Sequence, residues 1–198
     1  ELDSLAAVIP QRQAGSIFRL PVDRVFSMRG FGTVITGSLA SGAISVGDTV
    51  MIYPRGLKAK IRGIQTHNDS VSSASAGMRT AINFQGIDRT AVTRGDVLSR
   101  PNTLISSYMV DVDLLYLAGG RKPLKNRSRV RFHTGTSEIL GNLILLEADE
   151  IEPGRRTVAQ LRLDAPVTLV YDDPFVIRSY SPVRTIGGGR VINPTPVK

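Results

Sequence analysis

The chain has 198 residues, 41% hydrophobic and 21% charged, so it can bury a core and is not a disordered segment. It contains no cysteine, which excludes disulfides, thiolate metal sites and a cysteine nucleophile, and its two histidines, His67 and His133, are too far apart in sequence to suggest a local metal site. A formal net charge of +8 points to a polyanionic partner, and no apolar run approaches the ~18 residues of a membrane-crossing helix, so no membrane partner is expected.

Glu1-Leu2-Asp3 has no basic character, so no signal peptide is expected. Leu5–Ile9 reads as the end of a helix stopped by Pro10, and residues 1–15 read as a linker. Asp23 to Gly37 runs D-R-V-F-S-M-R-G-F-G-T-V-I-T-G. Two short strands, Arg24–Met28 and Thr33–Thr36, flank a tight Arg29-Gly30-Phe31-Gly32 connection in which the glycines supply positive φ. Asp23, Arg24 and Phe26 therefore lie on or beside a strand near a sharp turn, where side chains can face a ligand. Lys58-Ala59-Lys60-Ile61-Arg62 alternates cleanly, with its basic residues on one face; together with Arg55 it reads equally well as a solvated face or a functional one. Met78–Phe84 is a strand after Gly77, and Asp96–Ser99 a short strand before Pro101. Arg100-Pro101-Asn102-Thr103 is the internal boundary, giving domains over residues 16–101 and 102–198. Val110, Val112 and Leu114 alternate with acids, and Ala159, Leu161 and Leu163 alternate with polar residues. No long helical periodicity follows Gly15, so the chain reads as all-β, mostly antiparallel, in barrels or sandwiches.

The glycines invite a search for a phosphate loop, but no G-x-x-x-x-G-K-[ST] string occurs. Gly187-Gly188-Gly189-Arg190 leads into Val191-Ile192-Asn193-Pro194 and reads as a turn, so this chain alone is not expected to bind or hydrolyse GTP. Neither histidine sits in a nucleophile context and no G-x-S-x-G occurs; Asp172-Asp173 reads as a turn, and Glu147, Asp149 and Glu150 as a solvated loop. The expectation is a chain that is not itself an enzyme and holds no metal. Arg121, Lys122, Lys125, Arg127, Arg129 and Arg131 lie together with no acid among them. Period-2 spacing puts Arg127, Arg129 and Arg131 on one strand face with Val130 and Phe132 toward the core; mutual repulsion on that face favours a phosphate backbone, which His133 and Thr134 could also reach, over the competing reading of a solvated strand face. Arg79 opens a strand of its own. If it lies beside Asp23-Arg24, the three form a cationic pocket next to Phe26, suited to an anionic group held beside a cationic one; the competing reading is a surface salt bridge.

Ile17 to Phe26, the Gly32-Thr33-Val34-Ile35-Thr36-Gly37 run, Gly42 through Gly47-Asp48, Gly77 through Gly86 and Arg94-Gly95-Asp96-Val97-Leu98 form a collinear set that resembles the second domain of the elongation factor Tu family. The chain as a whole resembles domains two and three, two antiparallel β-barrels. The closest resemblance within the family is to the selenocysteine-specific elongation factors: the Ser181 to Val191 ending is similar to their third domain, Asp23-Arg24 stands where factor Tu commonly has an acidic pair, and Arg79 where it has asparagine. The resemblance implies that the first barrel takes the aminoacyl end of selenocysteinyl-tRNA, with Arg24 and Arg79 favouring the selenolate, Asp23 accepting from the amino group, and Phe26 packing the terminal adenine or the amino acid. It implies that Lys125, Arg127, Arg129, Arg131, His133 and Arg178 contact the tRNA backbone. It further implies a cytoplasmic GTPase parent with GTP and magnesium in a G domain preceding this chain, delivery to the ribosome for UGA recoding, and an mRNA hairpin read by further domains after it. The alternatives are another elongation or initiation factor, or a sulfate adenylyltransferase GTPase subunit.

Overall fold

The computed structural model describes residues 17–28, 30, 32–120 and 122–197. The helix end and linker expected over residues 1–15 lie outside these, as do Arg29, Phe31 and Arg121. The described residues divide into two compact units, one holding residues up to 103 except 53–56 and 94–96, the other holding those short stretches and residues from 104 onward. Both are built almost wholly of antiparallel strands, and none of the described residues forms a helix long and apolar enough to cross a membrane.

The first unit contains β1 (Leu20–Pro21), β2 (Arg24–Met28), β3 (Gly32–Ser38), β4 (Ala43–Ser45), β5 (Thr49–Tyr53), β6 (Leu57–Thr66), β7 (Asp69–Val71), β8 (Ser73–Ser75), β9 (Arg79–Gln85) and β10 (Val97–Ser99). Its main sheet runs β1-β10-β5-β6-β9-β3-β2, with β7 beside β6 and β4-β8 as a separate ribbon. Gly30 at φ +82° and Gly32 at φ +79° make the reversal that pairs Met28 with Gly32, as the sequence predicts. Ile35 of β3, Ile61 and Ile64 of β6 and Ile82 of β9 are fully buried among Val50, Ile52 and Phe84; each such side chain contributes about 1.5–3 kcal/mol. The sheet rolls until β1 lies against β3. Gly37 permits this, because a Cβ there would overlap the Pro21 carbonyl oxygen.

The second unit contains β11 (Ser106–Tyr116), β12 (Leu124–Lys125), β13 (Ser128–Thr134), β14 (Ser137–Leu145), β15 (Glu150–Ile151), β16 (Arg156–Thr168), β17 (Pro174–Ser179) and β18 (Thr185–Asn193). A closed barrel runs β11-β16-β14-β13-β17-β18, and β12-β15 form a ribbon. The alternations read from sequence point inward: Val110, Val112, Leu114, Val130, Phe132 and Leu161 are fully buried, and the Phe132 and Phe175 rings meet at 5.5 Å.

The glycine triplet departs from expectation. Gly187, Gly188 and Gly189 lie inside β18, between β11 and β17, and not in a turn. The physical reason is close approach of backbones. An added Cβ would stand 2.7 Å from the Leu115 carbonyl oxygen at Gly187 and 2.7 Å from that of Phe175 at Gly188, and at Gly189 it would overlap that of Asp113.

Candidate functional site

β2, β3, β9 and β6 lie side by side, and their register fixes which side chains share the outward face. Val25 packs into the core, so by alternation Arg24 and Phe26 face out. One cross-strand row runs Arg24, Thr36, Ala81, Gln65, and the next runs Phe26, Val34, Asn83, Gly63. Arg79, opposite Ser38, is two residues before Ala81 on the same strand. Asp23 is fastened at the edge of this face: its N–H donates to the Thr36 carbonyl at 2.8 Å.

The structure brings Asp23, Arg24 and Arg79 together. Arg79 Nη2 donates to Asp23 Oδ2 at 2.9 Å, and Arg24 Nε stands 3.9 Å from the same oxygen, an ion-pair distance and not a hydrogen bond. The Asp23 side chain is 24% exposed, whereas Arg79 and Arg24 are 55% and 76% exposed. Two guanidiniums thus share one carboxylate, leaving the cluster with one net positive charge and donors directed to solvent. The salt bridge weighed against a pocket is present, but it does not neutralise the cluster. Beside it, Thr36 Oγ1 is buried with no hydrogen-bond partner among the described residues.

The outward face holds a groove of about 340 Å³ that spacing alone does not reveal. Met28, Val34 and Val46 give it aliphatic walls, Gln65, Asn83, Ser70 and Arg62 give it polar edges, and Ile64 and Val71, which pack into the core, also border it. Ala81 and Gln65 line it and belong to the row of Arg24, so the cationic cluster borders the groove.

In the second unit the basic strand is less simple than its spacing suggests. Arg129 and Arg131 do lie on β13, but Arg127 does not: at φ +61° it sits in the turn before the strand, its N–H donating to Asn126 Oδ1 at 2.8 Å. Nor are the strand's arginines without acids. Asp164 of β16 accepts a forked pair of hydrogen bonds from Arg129, one at 3.0 Å, and Glu138 of β14 accepts from Arg131 Nη1 at 2.6 Å. Those acids are 35 and 7 residues away in sequence and reach the strand only through sheet register. The hydrogen bonds hold both carboxyls below their ordinary pKa. Arg131 also lies 5.6 Å from the Tyr180 ring centre and opposite Arg178, which is exposed and makes no salt bridge among the described residues. Lys125 is exposed opposite Glu150. His133 stands between Glu138 and Val176, with Nε2 buried and unpartnered among the described residues; burial lowers its pKa, opposed by Glu138 and assisted by Arg178 and Arg131.

Residues 32–99 match the family model described as elongation factor Tu domain 2, and residues 111–198 the model described as selenocysteine-specific elongation factor, beta-barrel domain. The selenocysteine-specific elongation factor of Desulfomicrobium baculatum is 45% identical over 98% of this chain, and that of Haemophilus influenzae 35% identical over 88%. The chain belongs to the selenocysteine-specific elongation factor family. Elongation factor Tu 2 of Streptomyces avermitilis is more distant, 30% identical over 92% of the chain. The chain spans 30% and 28% of the length of the two selenocysteine-specific relatives and 47% of the factor Tu.

In this member of the selenocysteine-specific family, sequence reasoning placed Asp23, Arg24, Phe26 and Arg79 but missed the groove beside them. Met28, Val34, Gln65, Ala81 and Asn83 come from four strands. Only Met28 and Val34 lie within the motif that drew attention to this region, and Met28 repeats the outward alternation of Arg24 and Phe26.

Proposed function

We propose that this chain is the tRNA-holding part of a factor that delivers selenocysteinyl-tRNA to the ribosome for UGA recoding in the cytoplasm. The observation that carries the reading is the gathering of Arg24 and Arg79 at one Asp23 oxygen, on the rim of a groove. A selenol is more acidic than a thiol, whose reference pKa is about 8.5, so selenocysteine is anionic at neutral pH while serine and cysteine are largely neutral. Two exposed guanidiniums favour the anion through charge-assisted hydrogen bonds, and Asp23 accepts from the amino group of the aminoacyl ester. The aliphatic walls of the groove suit the flat faces of the terminal base, and Gln65 and Asn83 suit its polar edges. Phe26 packs the adenine or the amino acid from the neighbouring row.

On the second unit, Arg129, Arg131, His133 and Arg178 form the backbone contact, with Lys125 and Arg127 at its margin. Asp164 and Glu138 hold Arg129 and Arg131 in place, and binding exchanges each carboxylate for a phosphate. GTP and Mg²⁺ are not assigned to any residue here. No phosphate-loop string occurs in the chain, and no group of three metal-ligating side chains occurs among the described residues. GTP hydrolysis and reading of an mRNA hairpin are assigned to parts of the protein outside this chain.

Arg79→Ala tests the charge filter. Losing a charge-assisted hydrogen bond costs about 1.5–3 kcal/mol, so selenocysteinyl-tRNA affinity should fall about ten- to a hundredfold while seryl-tRNA affinity changes little. Equal losses for the two would sink the selenolate reading.

A further inference from the structure

Beyond Arg62 at the groove edge, β6 carries a basic stripe with no assigned role. Lys58, Lys60 and Arg62 project from one side of β6: all three are exposed, and Ala59 and Ile61 between them are buried. At about 3.4 Å per residue the Lys58 and Lys60 Cα atoms stand about 7 Å apart, comparable to the separation of successive phosphates along an RNA strand. None of the three makes a salt bridge or side-chain hydrogen bond to any described residue. The lateral neighbours of the two lysines carry no acid either: Lys58 is opposite Met51, and Lys60 lies between Thr49 and Gln85, both exposed and both able to donate; Asp48, which accepts the Ile61 N–H through its backbone, has its carboxylate bonded to the Ser45 N–H. Arg129, Arg131, Arg156 and Arg190 of the second unit, by contrast, each have a carboxylate partner on another strand or turn. A bulge between Ile61 and Gly63 keeps Arg62 outside the ladder at the end of the stripe.

A row of cations without counter-charge along one strand is an electrostatic track. Its natural complement is a polymer with evenly spaced negative charges that releases counterions on binding. We propose that Lys58, Lys60 and Arg62 hold consecutive phosphates of a single-stranded RNA segment, in a track that runs along β6 from the groove edge at Arg62. Thr49 and Gln85 add hydrogen bonds to the middle phosphate or its ribose. The contact reads no base and needs no aminoacyl group, so it does not rest on the selenolate reading.

The test is binding of this 198-residue chain to a fluorescent uridine homopolymer and to deacylated tRNA across a salt series. Against the homopolymer, the triple variant Lys58→Gln, Lys60→Gln, Arg62→Gln should lose about tenfold or more in affinity, with the slope of log K against log salt shallower by about 2, three phosphates at ~0.7 each. A charge-matched triple, Arg89→Gln, Arg155→Gln, Arg184→Gln, removes exposed arginines that are scattered and not aligned; it should retain most of the wild-type slope. Loss on the homopolymer alone assigns the track to an RNA other than tRNA, and loss on both assigns it to single-stranded RNA in general. Equal losses for the two triples, an unchanged slope in the β6 variant, or no binding by the wild-type chain overturns the proposal. So does a β6 variant that loses poly-glutamate but keeps RNA, which would mark an acidic protein partner instead.

Discussion

At the level of single side chains, Thr36 and His133 each keep a buried polar atom without a partner among the described residues, at a cost that folding alone does not explain. Thr36→Val keeps the β-branched shape and removes the hydroxyl. It should stabilise the protein by up to about 1 kcal/mol in urea denaturation while weakening aminoacyl-tRNA binding severalfold. A loss of stability would mean that the free protein uses the hydroxyl, and would remove it from the ligand face. His133 tests differently. Burial depresses its pKa in the folded state, so the unfolded chain takes up a proton first as the pH falls. Stability should therefore drop as the pH falls through and below the ordinary histidine value of about 6.5, and His133→Gln should flatten that dependence. Glu138 and Asp164, depressed by their arginine hydrogen bonds, lose their contributions only below ordinary carboxylate values, so the two windows separate. A wild-type urea midpoint that rises on mild acidification would contradict the assignment.

Among strands and turns, glycine has two distinct uses here, and only one was legible. Gly30 and Gly32 announce themselves, because a D-R-V-F-S-M-R-G-F-G string between two β-type runs needs a reversal and positive φ. Gly187 to Gly189 carry the same letters but sit mid-strand, where the requirement comes from β11 and β17 on either side. The substitutions should differ accordingly. Gly30→Ala meets no atom within 4 Å and faces only its φ of +82°, about 1–2 kcal/mol, whereas Gly189→Ala drives a methyl into the Asp113 carbonyl and should cost at least about 3 kcal/mol. Chemical denaturation of both variants checks the order, and a reversal would mean that the barrel seam yields more easily than a turn. The same divide runs through the rest of the fold. Alternation exposed β2, β6, β11 and β16 and their buried faces, because which face is buried is a local property of period two. Cross-strand partners are not local. Asp164 and Glu138 beside the β13 arginines, and the groove assembled from four strands, follow from register, which no single segment encodes.

Over the whole molecule, the net charge of +8 divides equally between the two units, and which cations already have a carboxylate partner decides where a polyanion can bind. The second barrel pairs four of its outward arginines with acids, Arg129 with Asp164, Arg131 with Glu138, Arg156 with Asp113 and Arg190 with Asp172, and leaves others such as Arg178 exposed. In the first unit, exposed cations gather at the Asp23 cluster and along the β6 stripe. Such balancing keeps a basic surface from holding RNA indiscriminately, because each phosphate must displace a carboxylate already in place. Removing one such carboxylate should therefore tighten binding. Asp164→Asn leaves Arg129 without its acid; since exposed ion pairs contribute little to folding, the barrel should remain intact. Deacylated tRNA affinity at low salt should rise severalfold, and the salt slope should steepen by about 1, because no freed Asp164 carboxylate takes up a counterion when Arg129 meets its phosphate. Fluorescence titration across a salt series measures both. An unchanged slope would place Arg129 off the path of the RNA, reducing its pairing with Asp164 to a surface contact within the barrel.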